Sequence, residues 1–216
     1  MDKKEKETKI DKRLKKYLPF FAGLAVLALL FIVLYYAFQG FGKIEYQGLT
    51  FTKQKFGEIL VYSYNYFVEN SEGKIIQNTL YVRTDPRKNN IPVNGTIIYP
   101  KGKTVLISIN DSGLTECENS MIAISTITNF IVANGIAVKG GVPDKNKSQE
   151  KNLTYITCEK YPNNMVIMIE SSETTKIEKK DDGEFCYYIE VANCEIQEAV
   201  EKFAVQSIID SKKDIN

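Results

Sequence analysis

The sequence predicts an α+β domain, with one mixed but mainly antiparallel sheet covered by two helices, carried behind an N-terminal transmembrane helix. Three observations lead there. Tyr17 to Phe38 contains no charged residue; residues 43–109 alternate runs rich in Tyr, Val and Ile with turn signals; and two later segments repeat apolar residues at helical spacing. The order is four strands, a helix, a strand, further strands and a last helix, and with 216 residues the chain has room for one anchor and one domain able to bury its own core.

The apolar stretch Tyr17 to Phe38 would span about 33 Å as a helix, enough to cross a hydrocarbon core of about 30 Å. Lys3, Lys4, Lys6, Lys9, Lys12, Arg13, Lys15 and Lys16 precede it, and only Lys43 follows closely. Because basic residues stay on the cytoplasmic side, residues 1–16 are expected to form a cytoplasmic tail, disordered and held against anionic lipid; 17–38 spans the membrane and 39–216 lies outside. Tyr17, Tyr35 and Tyr36 sit at the boundaries, where amphipathic rings are favoured. The stretch exceeds the apolar region of a cleaved signal peptide, and Tyr35-Tyr36-Ala37-Phe38 lacks a small-x-small cleavage pattern, so the anchor is expected to be retained.

In the outer domain, Ile59 to Val68 and Lys74 to Arg83 flank Asn70-Ser71-Glu72-Gly73 as a hairpin. Asp85-Pro86-Arg87-Lys88-Asn89-Asn90 breaks the pattern, and Thr96 to Tyr99 and Thr104 to Ile109 read as two short strands, the second apolar enough to be central. Thr115-Glu116-Cys117-Glu118 matches a capping box and predicts a helix running to Asn134, with Met121, Ile124, Ile127 and Ile131 at helical spacing. Ile136 to Gly140 reads as a strand, Gly141 to Lys151 as a flexible loop, and Leu153 to Cys158 with Met165 to Glu170 as a second hairpin. Lys176 to Lys179 and Glu184 to Val191 flank Asp181-Asp182-Gly183, after which Asn193 would cap a last helix with Ile196, Ala199, Val200, Phe203 and Ile208 on one face.

All four cysteines, Cys117, Cys158, Cys186 and Cys194, lie beyond the anchor, where an oxidising compartment would pair them. A strand from Cys186 to Val191 already spans about 17 Å, too far for Cys186 to reach Cys194. Two pairings remain: Cys117 with Cys186 and Cys158 with Cys194, or Cys117 with Cys194 and Cys158 with Cys186. Asn94, Asn110, Asn146 and Asn152 each open an N-glycosylation sequon, and Asn146 and Asn152, flanking the polar loop, are the favoured acceptors.

The chain has no histidine, which excludes Ser-His-Asp and Cys-His nucleophile pairs and histidine zinc sites. A net charge of +1 gives no general reason to expect nucleic acid as partner. No catalytic residue, metal site or cofactor motif stands out. Arg83, Arg87 and Lys88 could form an anion-binding loop, although Pro, Asn and Asp there are what a solvated turn requires. Tyr62, Tyr64 and Tyr66 share one strand face, with Tyr81 on the next strand; they offer an aromatic surface or, the reading favoured here, sheet packing. Asp181, Asp182 and Glu184 suggest a metal site less than a hairpin turn.

Leu80-Tyr81-Val82-Arg83-Thr84-Asp85-Pro86-Arg87-Lys88 and Cys186-Tyr187-Tyr188-Ile189-Glu190-Val191-Ala192-Asn193-Cys194-Glu195-Ile196 resemble a family of single-pass, membrane-anchored envelope proteins of small-genome archaea that has no assigned activity. The resemblance implies a cell-surface setting and carries over no functional residue. The expectation is a non-catalytic cell-envelope protein whose partners are the lipid bilayer and an envelope or membrane protein, or a subunit of a membrane complex. The alternatives are a carboxylate-based hydrolase of envelope glycan or peptide, which needs two acidic groups in one concavity, and a pilin-like subunit.

Overall fold

The structure, a computed structural model, describes residues 3–40, 42–69, 73–181 and 183–213, with side chains of the first helix described for residues 17–35. The lysine and arginine side chains of the tail, the Tyr36 ring, Asn70 to Glu72 of the expected turn, and Asp182 therefore lie outside the described residues. Two compact units are present, Met1–Lys43 and Ile44–Asn216.

In the first unit, α1 (Lys3–Gly40) runs unbroken for 38 residues. Its apolar span Tyr17–Tyr35 has a mean hydropathy of 2.6 and exposes its side chains throughout. The helix extends back through the basic segment that was expected to be disordered. Lys and Glu, which dominate that segment, are good helix formers.

The second unit is α+β, with its strands divided between two sheets where one was expected. The first sheet is a meander of β1 (Lys43–Tyr46), β2 (Leu49–Phe56), β3 (Ile59–Glu69) and β4 (Ile75–Val82), in that order. Tight turns fix its register: Gln47 and Gly48 both take positive φ between β1 and β2, and Gly57, at φ +61, opens the two-residue turn that sets Phe56 opposite Ile59. Alternation then sends Leu49, Phe51, Tyr62, Tyr64, Tyr66, Leu80 and Val82 to one face and Phe67 and Tyr81 to the other.

The second sheet contains β5 (Val93–Asn94), β6 (Val105–Ile109), β7 (Val138–Gly141), β8 (Val166–Ser171), β9 (Lys176–Lys179) and β10 (Cys186–Val191), ordered β5-β9-β10-β8-β6-β7. Only β9 and β10 pair antiparallel; the β5/β9, β10/β8, β8/β6 and β6/β7 pairs are parallel. Near-continuous apolar runs such as Val105–Ile109 and Val166–Ile169 suit strands covered on both faces, as parallel sheets require.

Several local expectations are corrected. Leu153 to Cys158 forms no hairpin with β8, which pairs instead with β6 and β10; Tyr155 makes only a parallel bridge to Val142. Thr96 to Tyr99 is not a strand, because side chains from elsewhere satisfy its backbone: Ile97 N donates to Asp210 and Ile98 N to the Tyr187 hydroxyl, which in turn donates to Thr96 O. The capping box at Thr115 does not form; the cysteine at 117 is tied into a disulfide, the chain turns through residue 118, and α2 (Ser120–Ala133) starts five residues later than Thr115. Residues 145–150, expected to be loop, form α3 (Lys145–Glu150), because the Asp144 carboxylate accepts from the Asn146 and Lys147 amides. Asn193 does not cap the last helix: Asn193 and Cys194 both take left-handed φ, and α4 starts at Ile196 and runs to Lys213.

The layers follow from these faces. α2 and α4 lie in the main core, which joins the inner face of the meander to one face of the second sheet. The opposite face of that sheet buries Leu106, Val166, Met168 and Cys186 beneath Ile156, Cys158 and Tyr161. At Gly141 a Cβ would collide with the Thr154 carbonyl and Ile156, so this covering segment approaches as closely as it does only because a glycine is there.

Two disulfides staple the unit, Cys117–Cys194 and Cys158–Cys186, with Cα atoms 5.3 and 5.7 Å apart. This is one of the two pairings the sequence leaves open. They close segments separated by 77 and 28 residues, for which chain-entropy arguments give about 4.5 and about 3.6 kcal/mol of stabilisation respectively. Urea denaturation of the full chain in detergent should therefore show Cys117→Ala/Cys194→Ala losing more stability than Cys158→Ala/Cys186→Ala.

Candidate functional site

A groove of about 550 Å³ lies at one end of the helix layer. Three elements build it. β3 contributes Tyr64 and Tyr66, whose i,i+2 spacing places both rings on the inner face; α2 contributes Phe130 from its last turn and Asn134, which caps its end; and α4 contributes Ser207, Ile208, Ser211 and Lys212. Tyr99, from the segment held by Asp210 and Tyr187, joins the lining.

Its aromatic walls are continuous. The Tyr64 and Tyr66 rings lie 6.3 Å apart and within 4° of parallel, Phe51 backs Tyr64 at 5.4 Å, and Tyr66 meets Phe130 at 6.3 Å. Burial pushes the Tyr66 phenol above its ordinary pKa, against hydrogen bonds from Asn134 and Asn78 that pull it down, and burial pushes Tyr99 up further, against its bond with Ser207. Both phenols are therefore neutral at physiological pH and able to donate. Lys212 Nζ stands 5.3 Å from the centre of the Tyr64 ring, where cation–π attraction places a positive charge beside the apolar wall.

The tyrosines singled out from sequence thus divide. Tyr62 is buried, Tyr64 and Tyr66 pack inward yet keep part of their rings open to the groove, and Tyr81 lies on the opposite face against Phe56 at 6.0 Å. Tyr99, Phe130 and the C-terminal turns of α2 and α4 carried no sequence signal for this site, because only tertiary packing brings them to β3.

The expected anion loop is arranged differently. Arg87 is engaged by Asp85 through Nε–Oδ1 at 3.0 Å and Nη2–Oδ2 at 2.7 Å, while Arg83 and Lys88 are exposed. Lys88 borders a shallow depression of about 340 Å³ that also holds Glu195 and Glu198, so a cation and two carboxylates share it. No group of three or more acidic or cysteine side chains suited to a metal occurs among the described residues. Of the sequons, Asn94, Asn146 and Asn152 are exposed and Asn110 is part-buried; Asn146 lies on α3 rather than in a loop.

What holds these loops is a set of polar groups on α4. Glu201, 2 % exposed, accepts from Arg83 N at 2.7 Å and Thr84 N at 2.9 Å; Lys202 donates to Asn89 O and to the Tyr46 hydroxyl; Asn89 donates to Glu198 O.

Glu201→Ala should cost about 3 kcal/mol, because it strands two backbone donors, and Glu201→Gln about 2 kcal/mol, because an amide NH2 then faces one of them; chemical denaturation reads both. Stability should also fall in acid. The Arg87 side chain holds Asp85 below its ordinary range, Lys147 and Lys151 do so for Asp111, and for Glu190 Lys180, Lys176 and Ser172 outweigh an opposing effect of burial. Each contribution is present above the unfolded carboxylate value of about 4 and is lost as pH falls through the lower folded value. With no histidine, denaturation midpoints should stay level between about pH 6 and pH 8 and drop below about pH 4, less steeply in Arg87→Ala. No family model matches this chain, and no curated protein or solved structure does either.

Proposed function

We propose that this chain is a single-pass, membrane-anchored protein of an archaeal cell envelope, with its tail in the cytoplasm, whose outer domain is a non-catalytic module that binds an apolar segment of another envelope or membrane protein. The observation that carries the reading is the aromatic groove formed by β3, α2 and α4. Its floor of Tyr64, Tyr66 and Phe130 favours apolar side chains, and Asn134 and Ser211 at its edge keep acceptor oxygens for the main chain between them, their donors being bonded to Phe130 O and Ile208 O. Tyrosine supplies large contact area at a small cost in conformational entropy.

Support for the location is separate. The exposed apolar span Tyr17–Tyr35 meets the length for a bilayer, the preceding lysines favour the cytoplasmic side, and the four cysteines form two disulfides, as an oxidising exterior permits. Binding from an anchored domain also benefits from confinement to a surface, which raises the effective concentration of a partner in the same membrane.

Because every native cysteine is in a disulfide, Ser211→Cys introduces the one free thiol, at the groove rim. Membrane-impermeant maleimide should label it on intact cells; labelling only after lysis would reverse the orientation. A benzophenone attached there should cross-link one polypeptide in native membranes, and a further Tyr66→Ala change should cut that yield roughly tenfold. A yield unchanged by Tyr66→Ala would remove the groove from the binding reaction.

A further inference from the structure

A second surface adjoins the groove, sharing Tyr66 and Phe130 with it, and centres on the strand β4. β4 is an edge of the meander, with β3 as its one neighbour in the sheet. Exposed edges present unpaired backbone groups, and proteins ordinarily blunt them with charge, proline or short length. The other edges follow that rule: β1 has four residues including Lys43 and Glu45, β5 has two, and β7 has four including Lys139 and two glycines. β4 does not. Its eight residues, Ile75-Ile76-Gln77-Asn78-Thr79-Leu80-Tyr81-Val82, contain no charge and no proline, with Ile75 74 % exposed.

The element beside it is equally uncharged. α2 has fourteen residues without Asp, Glu, Lys or Arg, and Met121 and Val132 are exposed on it. Asn78 donates to Ala133 O at the end of that helix, and a cleft of about 260 Å³ runs between Thr79, Leu80 and Tyr81 on one side and Thr126, Asn129 and Ala133 on the other. In a chain of which 25 % is charged, this neutral strip beside an open strand is a surface made for another strand.

The sequence of β4 identifies which strand. Cross-strand partners must share a face, so antiparallel self-pairing is restricted to registers centred on a residue. Centred on Asn78, that register sets Ile75 opposite Tyr81, Ile76 opposite Leu80, and Gln77 opposite Thr79, with apolar on apolar, polar on polar and no like charges facing. We infer that two copies of this chain pair through β4 about a two-fold axis at Asn78, joining their meanders into one eight-stranded sheet. The arrangement is isologous and closed. It does not depend on the groove or its partner.

The full chain in detergent micelles and in vesicles tests this. Asn78→Cys lies on the proposed axis, where facing Cα atoms of about 4.5 to 5.5 Å suit a disulfide. Mild oxidation should convert it to a covalent dimer, with roughly tenfold less from Thr50→Cys on the exposed face of β2. Gln77→Lys/Thr79→Lys opposes like charges twice across the axis and should leave the protein monomeric by light scattering; Gln77→Lys/Thr79→Glu, which opposes opposite charges, should restore the dimer. A monomeric wild type, an Asn78→Cys protein that does not cross-link, or a dimer indifferent to Gln77→Lys/Thr79→Lys would each overturn the inference.

Discussion

Glu201, Lys202 and Asp210 are ionisable groups in the middle of a protein, and keeping them there without partners would cost several kcal/mol each. That constraint organises the second unit. Thirteen of the eighteen residues of α4 are buried, and its three buried ionisable groups meet their requirement by binding irregular backbone: Glu201 takes the amides after β4, Lys202 the carbonyl of Asn89, and Asp210 the amide of Ile97. Segments that would otherwise be loose connections are thereby fixed against the helix. The groove inherits its shape from the same bonds, since Tyr99 is delivered to it by the segment that Asp210 and Tyr187 hold.

How much of this was legible in the sequence depends on the range of the interactions involved. The hairpin pairing of β3 with β4 and of β9 with β10 was readable, because turn chemistry and alternation act over a few residues. So was one face of α4, from Ile196, Ala199, Val200, Phe203 and Ile208. That the opposite face is buried too was not readable, because Gln197, Glu201 and Lys202 look like solvent residues until their partners, over a hundred positions away in the cases of Glu201 and Lys202, are in place. Likewise the parallel neighbours of β8 come from before and after it in the chain, and no local pattern announces them; the apolar run at Val105–Ile109 was the single hint. The tail is the reverse case: disorder was expected for residues 1–16, and the helix runs back to Lys3 because Lys and Glu favour helix intrinsically.

The candidate site was legible in part for the same reason. Tyr64 and Tyr66 stood out through alternation, and sheet packing and an aromatic surface looked like competing explanations. They are compatible: the rings sit on the inner face but near the end of the helix layer, where cover runs out. Arg87 shows the opposite outcome. Its charge suggested a ligand, but a carboxylate two residues away already occupies the fork of the guanidinium.

The disulfide from Cys117 to Cys194 joins the chain just ahead of α2 to the chain just ahead of α4. Both helices are thus riveted at their leading ends, while Phe130 and Asn134 on one and Ile208 and Ser211 on the other meet at the trailing ends. The pair has the mechanics of a clothes peg. The covalent bond thus clamps the two helices at the ends remote from the groove, and non-covalent packing alone sets the width of its mouth.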